Sequence, residues 1–165
     1  MSTEHVISVV GEADLEDLLP LLRGYCDFYE VAPSDDALLA ISRALIADPE
    51  REGMQLIARE TGPPARAVGF ATLYWTWQTL SAARLGVMND LFVTPDARGS
   101  GWADALIAAC VERCRARGVR ELAWQTAHTN LRAQAVYDRV GATRDDRWLD
   151  YSLSVAPGAT TPDSY

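Results

Sequence analysis

The sequence predicts one α/β (α+β) domain, and three observations support this prediction. The chain has 165 residues, of which 48% are hydrophobic, so it is long enough for one full core and short for two. Two strand patterns flank the turn Thr61–Pro64, as in an antiparallel hairpin. After this hairpin, strand and helix patterns alternate as β-α-β-α-β. We therefore expect a single domain over residues 1–155 and a flexible Pro-, Gly- and Thr-rich tail over residues 156–165.

Each predicted element has a local justification. Asp14 is predicted to cap a helix whose leucines repeat with the 3.6-residue period, and Ser34 is predicted to cap a second helix that ends before Pro49. The strands are apolar or alternating runs bounded by glycine, proline and charged residues. The elements in order are strand His5–Val10, helix Asp14–Glu30, helix Ala37–Ala47, strands Met54–Glu60, Ala67–Gln78 and Leu85–Val93, helix Gly101–Arg117, strand Arg120–Thr126, helix Asn130–Val140 and strand Trp148–Val155.

Composition and charge argue against several classes of function. A net charge of −8 disfavours a nucleic-acid partner, which needs a basic surface. No run approaches the roughly 18 apolar residues of a membrane span, and the first residues lack the order of a signal peptide, so we expect a cytoplasmic protein with no membrane partner. His5 and His128 do not have ligand spacing to the three cysteines. We therefore expect free buried thiols and no metal.

Two glycines stand between a strand and a helix in residues 94–107, TPDARGSGWADALI. Gly99 and Gly101 allow positive φ and a close approach of the backbone to a ligand. The first turn of the following helix offers free N–H groups and a partial positive charge, which suit a phosphate. A Walker A loop is excluded because Trp102-Ala103 stand where Lys-Ser/Thr would be needed, and a dinucleotide fingerprint is weak because Asp104 replaces its third glycine. A plain strand-to-helix turn stays open on these residues alone.

Two sequence blocks resemble one family. Arg98-x-x-Gly101-x-Ala103 resembles the acetyl-CoA signature of the GNAT superfamily of N-acyltransferases, and NLRAQAVYDRVGA, residues 130–142, resembles that family's second block. One helix and one strand separate the two blocks, as in the family. Residues 21–30 (LLRGYCDFYE), the aromatic strands of residues 65–93 and RWLDYSL near the C-terminus resemble the branch of spermidine/spermine and thialysine N-acetyltransferases.

The resemblance implies a GNAT fold and acetyl-CoA as co-substrate. The implied fold is a mixed, mostly antiparallel sheet of six to seven strands, splayed between two parallel strands and flanked by about four helices. The parallel strands here would be Leu85–Val93 and Arg120–Thr126. Backbone groups at the splay would pair with pantetheine, loop N–H groups would hold the pyrophosphate, and Arg98 would add charge. The implied cofactor-binding residues are Leu91, Phe92, Val93, Arg98, Gly99, Ser100, Gly101, Trp102, Ala103, Asn130 and Ala133.

The resemblance also implies catalytic roles. Tyr137 matches the position of the general acid that protonates the leaving thiolate, although a tyrosine there could simply pack on the sheet. The branch usually carries a Glu where this chain has Asn89, which cannot accept a proton. Asp90, Asp27, Glu30 or a water chain are left as candidate bases, with Asp90 retained as the catalytic candidate. Strand alternation predicts that Asn89 and Asp90 point to opposite faces.

The predicted acceptor is a primary amine of a small molecule such as a polyamine or amino acid. Aromatic faces can hold an ammonium group, and carboxylates can pair with it. The predicted substrate-binding residues are Tyr25, Asp27, Phe28, Glu30, Trp75 and Asn89, with core packing as the alternative for Trp75. Two other functions stay open, namely acetylation of protein or peptide amines and a non-catalytic acyl-CoA sensor. The resemblance also implies a homodimer.

Overall fold

A computed structural model describes residues 5–155 of the chain. In these residues four α-helices flank one five-stranded sheet, in which neighbours run antiparallel from β1 to β4 and β5 runs parallel to β4. The elements are β1 (Val6–Val9), α1 (Leu15–Phe28), α2 (Asp35–Ala47), β2 (Gly53–Arg59), β3 (Ala67–Gln78), β4 (Ala83–Val93), α3 (Trp102–Ala116), β5 (Leu122–Ala123) and α4 (Leu131–Arg139). The predicted fold class is confirmed, as is the order of elements from the first strand to α4.

The C-terminal part of the prediction is wrong in one respect. Residues Trp148–Val155 form no strand, so the described residues contain five strands instead of six or seven. A strand needs a neighbouring edge for its backbone groups. The edge available is β5, which is only two residues long instead of the predicted Arg120–Thr126 and pairs with β4 only at Gly86 and Val87. The predicted tail over residues 156–165 lies outside the described residues.

The sheet is buried on both faces, which explains the nearly continuous apolar sequence of β2 and β3. On one face Leu56 and Leu73 pack with Leu106 of α3. On the other face Ile57 and Phe70 pack with leucines of α1, including Leu18, which is fully buried. Successive residues of a strand thus serve different layers, and the helices that border the site are fixed to opposite faces of one sheet.

The two predicted helix starts differ in their chemistry. The Ser34 hydroxyl accepts a hydrogen bond from the Ala37 N–H at 3.2 Å, which confirms the predicted N-cap of α2. Asp14 precedes α1 but does not cap it with its side chain. Its carboxylate instead accepts from the Gly11 N–H at 2.8 Å and from Arg59 at 2.9 Å. Asp14 therefore ties the turn before α1 to β2.

The pairing of β4 is irregular with both of its neighbours in the sheet. Thr72 pairs with Asp90 and Leu73 pairs with Met88, so Asn89 has no partner on β3 and forms a β-bulge. The pairing between β4 and β5 includes only Gly86 and Val87. Beyond Val87 the parallel strands diverge, as the resemblance implied, and the β4 edge from residue 88 to residue 93 is open on that side.

Candidate active site

A cavity of about 920 Å³ lies where β4 and β5 diverge. One side of it, called the glycine-loop side, is formed by residues 98–103 and the start of α4. The opposite side, called the α1 side, is formed by Tyr25, Phe28 and Tyr29 of α1 and its C-cap together with Asn89 of the bulge. Of the predicted cofactor-binding residues, those lining the cavity are Leu91, Phe92, Val93, Arg98, Gly99, Gly101, Trp102, Ala103, Asn130 and Ala133.

The glycine loop has the geometry of an anion site. Gly99 and Gly101 both have φ of +84°, a conformation that L side chains rarely adopt. Gly101 is the N-cap of α3 and supplies no side-chain cap, so the N–H groups of the first helical turn are available to a ligand. Ser100 is not among the described residues that line the cavity. Its carbonyl oxygen bonds the His5 Nε2 at 2.9 Å, and its role in cofactor binding stays a prediction.

Basic side chains surround this loop. The Arg98 Nε donates to the Val93 carbonyl at 2.9 Å, and the Arg98 guanidinium lies 5.9 Å from the centre of the Phe92 ring. Burial and the neighbouring Arg132 lower the pKa of Arg98. Among the described residues, neither Arg98 nor Arg132 forms an ion pair, whereas Arg139 pairs with Asp104 at 2.6 Å. The two arginines that lack a carboxylate partner give this side of the cavity a positive charge.

Several residues of this side were not predicted from the sequence. His5 lines the cavity, and its ring meets the buried Trp102 edge-on at a centroid distance of 4.3 Å. Arg132 and Arg139 also line it. The only signal for the arginines was their position within the second sequence block, and His5 gave no signal because it lies more than ninety residues from the loop that it contacts.

Tyr137, a residue of α4, lines the cavity. Its ring packs edge-on against Trp124 at a centroid distance of 5.3 Å, and the Thr126 hydroxyl is its hydrogen-bonding neighbour. Burial raises the pKa of Tyr137, and the nearby Tyr29 adds to this effect. The phenol therefore keeps its proton at neutral pH, as a general acid requires.

Asn130 has a structural role that can be seen directly. Its Oδ1 accepts a hydrogen bond from the Ala133 N–H at 3.1 Å, so it is the N-cap of α4. The amide nitrogen of the same side chain is left for another partner, and both Asn130 and Ala133 line the cavity. The cap thereby fixes the start of α4 beside the open β4 edge.

Asp90 lies behind the α1 side, and it is not among the described residues that line the cavity. The bulge overturns the predicted separation of Asn89 and Asp90, because the extra residue breaks strand alternation and the Asn89 Nδ2 donates to the Asp90 Oδ1 at 3.0 Å. Thr72, the partner of Asp90 in the β3–β4 register, and Tyr25 of α1 lie near this carboxylate. Burial raises the pKa of Asp90 despite the bond from Asn89.

Three predicted substrate-binding residues are outside the described lining of the cavity. Asp27 and Glu30 are exposed near the end of α1. Trp75 is buried on the face that packs against α3, its Nε1 donates to the Pro49 carbonyl at 2.9 Å, and Arg117 lies 4.8 Å from its ring centre. The Trp75 ring is therefore occupied by core packing, the alternative that the sequence left open. Tyr25, Phe28 and Asn89 do line the cavity.

The cysteines are unsuited to covalent catalysis. Cys110 and Cys114 lie on α3, and both are free thiols buried in the core, as predicted. Burial raises the pKa of Cys110 to about 12, which disfavours the nucleophilic thiolate. Between residues 5 and 155 no group of three or more metal-ligating side chains is close enough to hold a metal ion. Within the same range no helix is long and apolar enough to cross a membrane.

Comparison with known proteins identifies the family. The model of the acetyltransferase (GNAT) family matches residues 16–142. The chain belongs to this family. An uncharacterized N-acetyltransferase of Bacillus subtilis (strain 168), YhfO, is 32% identical over 143 residues, which are 87% of this chain and 93% of that protein. This GNAT protein is therefore an N-acetyltransferase, of a family that typically uses acetyl-CoA.

Two further comparisons concern proteins with more specific names. The D-amino-acid N-acetyltransferase HPA3 of Saccharomyces cerevisiae is 29% identical over 141 residues, 85% of this chain and 86% of that one. The structure of the aminoglycoside N-acetyltransferase AAC(6')-Iy in complex with CoA superposes with a TM-score of 0.79 at 24% identity, covering 93% of this GNAT chain and 97% of that one. The structural likeness confirms the GNAT fold.

Proposed function

We propose that this chain transfers the acetyl group of acetyl-CoA to a primary amine of a small molecule by direct attack, without a covalent enzyme intermediate. The observation that carries the proposal is one cavity that joins a positively charged anion site at the glycine loop to an aromatic side on α1, with Tyr137 on its wall. A thioester donor with a phosphorylated handle and an amine acceptor fit these two sides.

The residues of the glycine-loop side fit acetyl-CoA. Free N–H groups at the start of α3 suit its pyrophosphate, with Arg98 and Arg132 adding positive charge. The open β4 edge at Leu91–Val93 can pair with the pantetheine amides as a further strand would, and Asn130 has a free amide nitrogen. When bound, acetyl-CoA supplies the activated acetyl group, and the protein residues orient it.

The proposed reaction also requires proton transfers, which side chains of the protein must carry out. A lysine-like amine with a pKa near 10.4 costs about 4.6 kcal/mol to hold neutral at pH 7, so the acceptor needs a base. Asp90 is the proposed base, because its burial raises its pKa toward that of the amine. Tyr137 is the proposed acid that donates its phenolic proton to the leaving sulfur, because burial keeps this phenol protonated.

A small amine is favoured as acceptor by the aromatic character of the α1 side. Tyr25, Phe28 and Tyr29 can surround an ammonium group or the apolar body next to it. Two similar proteins, a D-amino-acid and an aminoglycoside acetyltransferase, are named for small-molecule amines as well. We propose the same class here, including the polyamine and amino-acid acceptors of the spermidine/spermine and thialysine branch.

The test is a thiol-release assay with acetyl-CoA against small amines, amino acids, aminoglycosides and basic peptides. We expect turnover on a small amine. Tyr137→Phe should lower kcat by about 10²- to 10⁴-fold, because the leaving sulfur loses its proton donor, while the Kd for acetyl-CoA measured by calorimetry stays unchanged. Equal kcat in the variant would overturn the acid role of Tyr137.

The other arms of this assay identify the alternative functions. Turnover confined to peptides would make the chain a protein or peptide amine acetyltransferase. Acetyl-CoA binding without turnover on any amine would make it an acyl-CoA sensor module. Either result would overturn the proposed small-molecule activity.

We further propose that a second copy of this chain is its partner. Residues 148–155 carry apolar side chains at alternate positions, and the side chains that are exposed are Trp148, Leu149, Tyr151, Leu153 and Val155. The short β5 at the edge of the sheet has an open side that such a segment could join. Light scattering should give twice the 18.1 kDa of one chain. A mass of one chain would overturn the dimer.

A further inference from the structure

The side chain of His5, which directly precedes β1, bonds to the backbone of the glycine loop. Its Nε2 lies 2.9 Å from the Ser100 carbonyl oxygen, although 95 positions separate the two residues in the chain. A carbonyl oxygen can only accept, so the His5 Nε2 carries a proton and donates it to Ser100. The imidazole can make this bond in its neutral and in its charged form. His5 is therefore a fixed hydrogen-bond donor to the loop.

The bonded carbonyl belongs to the peptide between Ser100 and Gly101. Gly99 and Gly101, on either side of Ser100, both have φ of +84°. Because glycine adopts positive and negative φ about equally well, a peptide next to it can rotate at little cost. Among the described residues the Gly101 N–H has no hydrogen-bond partner that would prevent this rotation. The loop sequence by itself therefore leaves the direction of the peptide open.

The bond from His5 sets that direction. A peptide that precedes a residue other than proline is trans, and its C=O and N–H point in opposite directions. With the Ser100 carbonyl held toward His5, the Gly101 N–H points away from the His5 ring. Gly101 lines the cavity and is the N-cap of α3, so its N–H adds to the free donors of the first helical turn.

The His5 ring is itself held by the sheet and the core. The next residue, Val6, begins β1 and pairs with Arg59 of β2. The His5 ring meets the buried Trp102 edge-on at a centroid distance of 4.3 Å. It also lies directly beside Gly101, since a Cβ at that glycine would be 3.4 Å from the His5 Cε1. The group that reaches the loop is thus fixed from outside the loop.

We propose that His5 is a positioning residue of the acetyl-CoA site, which holds the Ser100–Gly101 peptide so that the Gly101 N–H faces the diphosphate. The inference rests on the proposed use of acetyl-CoA. His5 acts through the loop and exchanges no proton with the reacting groups. Its loss should therefore weaken the binding of a phosphorylated thioester and leave the acetyl transfer itself unchanged.

Two substitutions separate the hydrogen bond from the packing of the ring. His5→Phe keeps an aromatic ring against Trp102 but has no N–H donor. His5→Gln keeps an N–H donor at the same number of bonds from the Cα atom, but it has no ring and carries no charge. We expect His5→Phe to raise the Kd for acetyl-CoA by about five- to tenfold, the range of one hydrogen bond, and His5→Gln to stay within about twofold of the wild type.

Calorimetric titration measures these Kd values, with His128→Phe as the matched control. His128 is exposed and is not among the described residues that line the cavity, so its substitution should leave the Kd unchanged. Equal losses of affinity in His5→Phe and His5→Gln would overturn the positioning role, because the variant that keeps the donor would then behave like the one that lacks it.

A shortened thioester tests whether the loss belongs to the diphosphate. S-acetylpantetheine has the thioester and the amides of acetyl-CoA but no phosphate group. We expect His5→Phe to lower kcat/KM for acetyl-CoA by about five- to tenfold and to leave kcat/KM for S-acetylpantetheine unchanged. An equal loss with both thioesters would mean that His5 shapes the whole cavity, and it would overturn a role directed at the phosphate site.

An NMR measurement on the free protein tests the loop geometry without any ligand. Order parameters of the amides of residues 99–101 report how firmly these peptides are held. They should fall in His5→Phe, because the Ser100–Gly101 peptide is released, and they should keep their wild-type values in His5→Gln and His128→Phe. Unchanged order parameters in His5→Phe would show that the loop holds its shape without His5, against the proposal.

These measurements distinguish failure of this inference from failure of the proposed function. Weaker acetyl-CoA binding in His5→Phe, without turnover of any amine by the wild type, would overturn the proposed acetylation and support the role of His5. Wild-type turnover with the same Kd in His5→Phe would overturn the role of His5 alone. Absence of acetyl-CoA binding by the wild type would overturn both.

Discussion

Most of the glycine-loop side of the cavity comes from two short segments of the chain, residues 98–103 and the start of α4, while the α1 side joins residues far apart in sequence. On the first side, backbone conformation and helix N-termini supply the binding groups. On the second, Tyr25 packs against Phe70 and Phe92 only because α1 lies against β3 and β4. A site built from backbone groups therefore depends on residues that are close together in sequence, whereas a site built from neighbouring side chains depends on tertiary packing.

The largest effect is expected at the glycine loop. Gly101→Glu should weaken acetyl-CoA binding by about 100-fold or more, because it sets a carboxylate against phosphate, a like-charge contact worth several kcal/mol, at φ of +84°. Gly118→Glu is the matched control, since Gly118 has φ of +68° and open space around it and does not line the cavity. Calorimetric titration that gives the same Kd for both variants would overturn the phosphate site.

Trp75 and Phe28 were both predicted from the sequence to bind the substrate, but we expect their substitutions to have different effects. Trp75→Ala should lower the free energy of unfolding by about 3–5 kcal/mol, because a buried ring is lost, and leave KM for the amine unchanged. Phe28→Ala should raise KM by about three- to tenfold with little change in stability, since its ring is half exposed at the cavity. Denaturation curves and steady-state kinetics of both variants test this separation, and an increase in KM for Trp75→Ala would contradict it.

The stability of the protein should depend on pH through Asp90. Since the folded-state pKa of Asp90 lies above its ordinary value of 3.8, the folded protein holds the proton more tightly than the unfolded chain. The stabilising contribution is present below pH 3.8 and is lost as pH rises through the folded-state pKa. The free energy of unfolding of the wild type minus that of Asp90→Asn should therefore fall as pH rises from 3.8 to the folded-state pKa of Asp90. Above that pKa the difference should be constant. A difference that rises with pH would show that the carboxylate is stabilised in its charged form.

The smallest effect is expected from the acidic residues beside the site. Asp27→Asn and Glu30→Gln should each change KM for the amine by no more than about twofold, because these carboxylates are exposed and solvent and salt screen them. Steady-state kinetics at low and high salt measure the change. A salt-sensitive increase in KM of tenfold or more would mean that the acceptor extends beyond the described cavity.

The sequence by itself determined the fold class, the order of elements from β1 to α4 and the glycine loop of residues 98–103. Helix periodicity, the Ser34 cap and the positive φ of Gly99 and Gly101 depend on neighbours within a few residues. The splay between β4 and β5 was implied by the resemblance of the two sequence blocks to the family. These features are local, so the residue types that produce them can be recognised along the chain.

Only the tertiary structure decided the α1 side and the ends of the sheet. The bulge at Asn89 arises from the register between β3 and β4, and it brings Asn89 and Asp90 together where alternation predicts separation. Trp75 packs in the core because Pro49 and Arg117, distant in sequence, meet its ring. Residues 148–155 alternate as a strand does but pair with no strand among residues 5–155. Long-range pairing and packing cannot be read from one segment, because each depends on which other segment lies beside it.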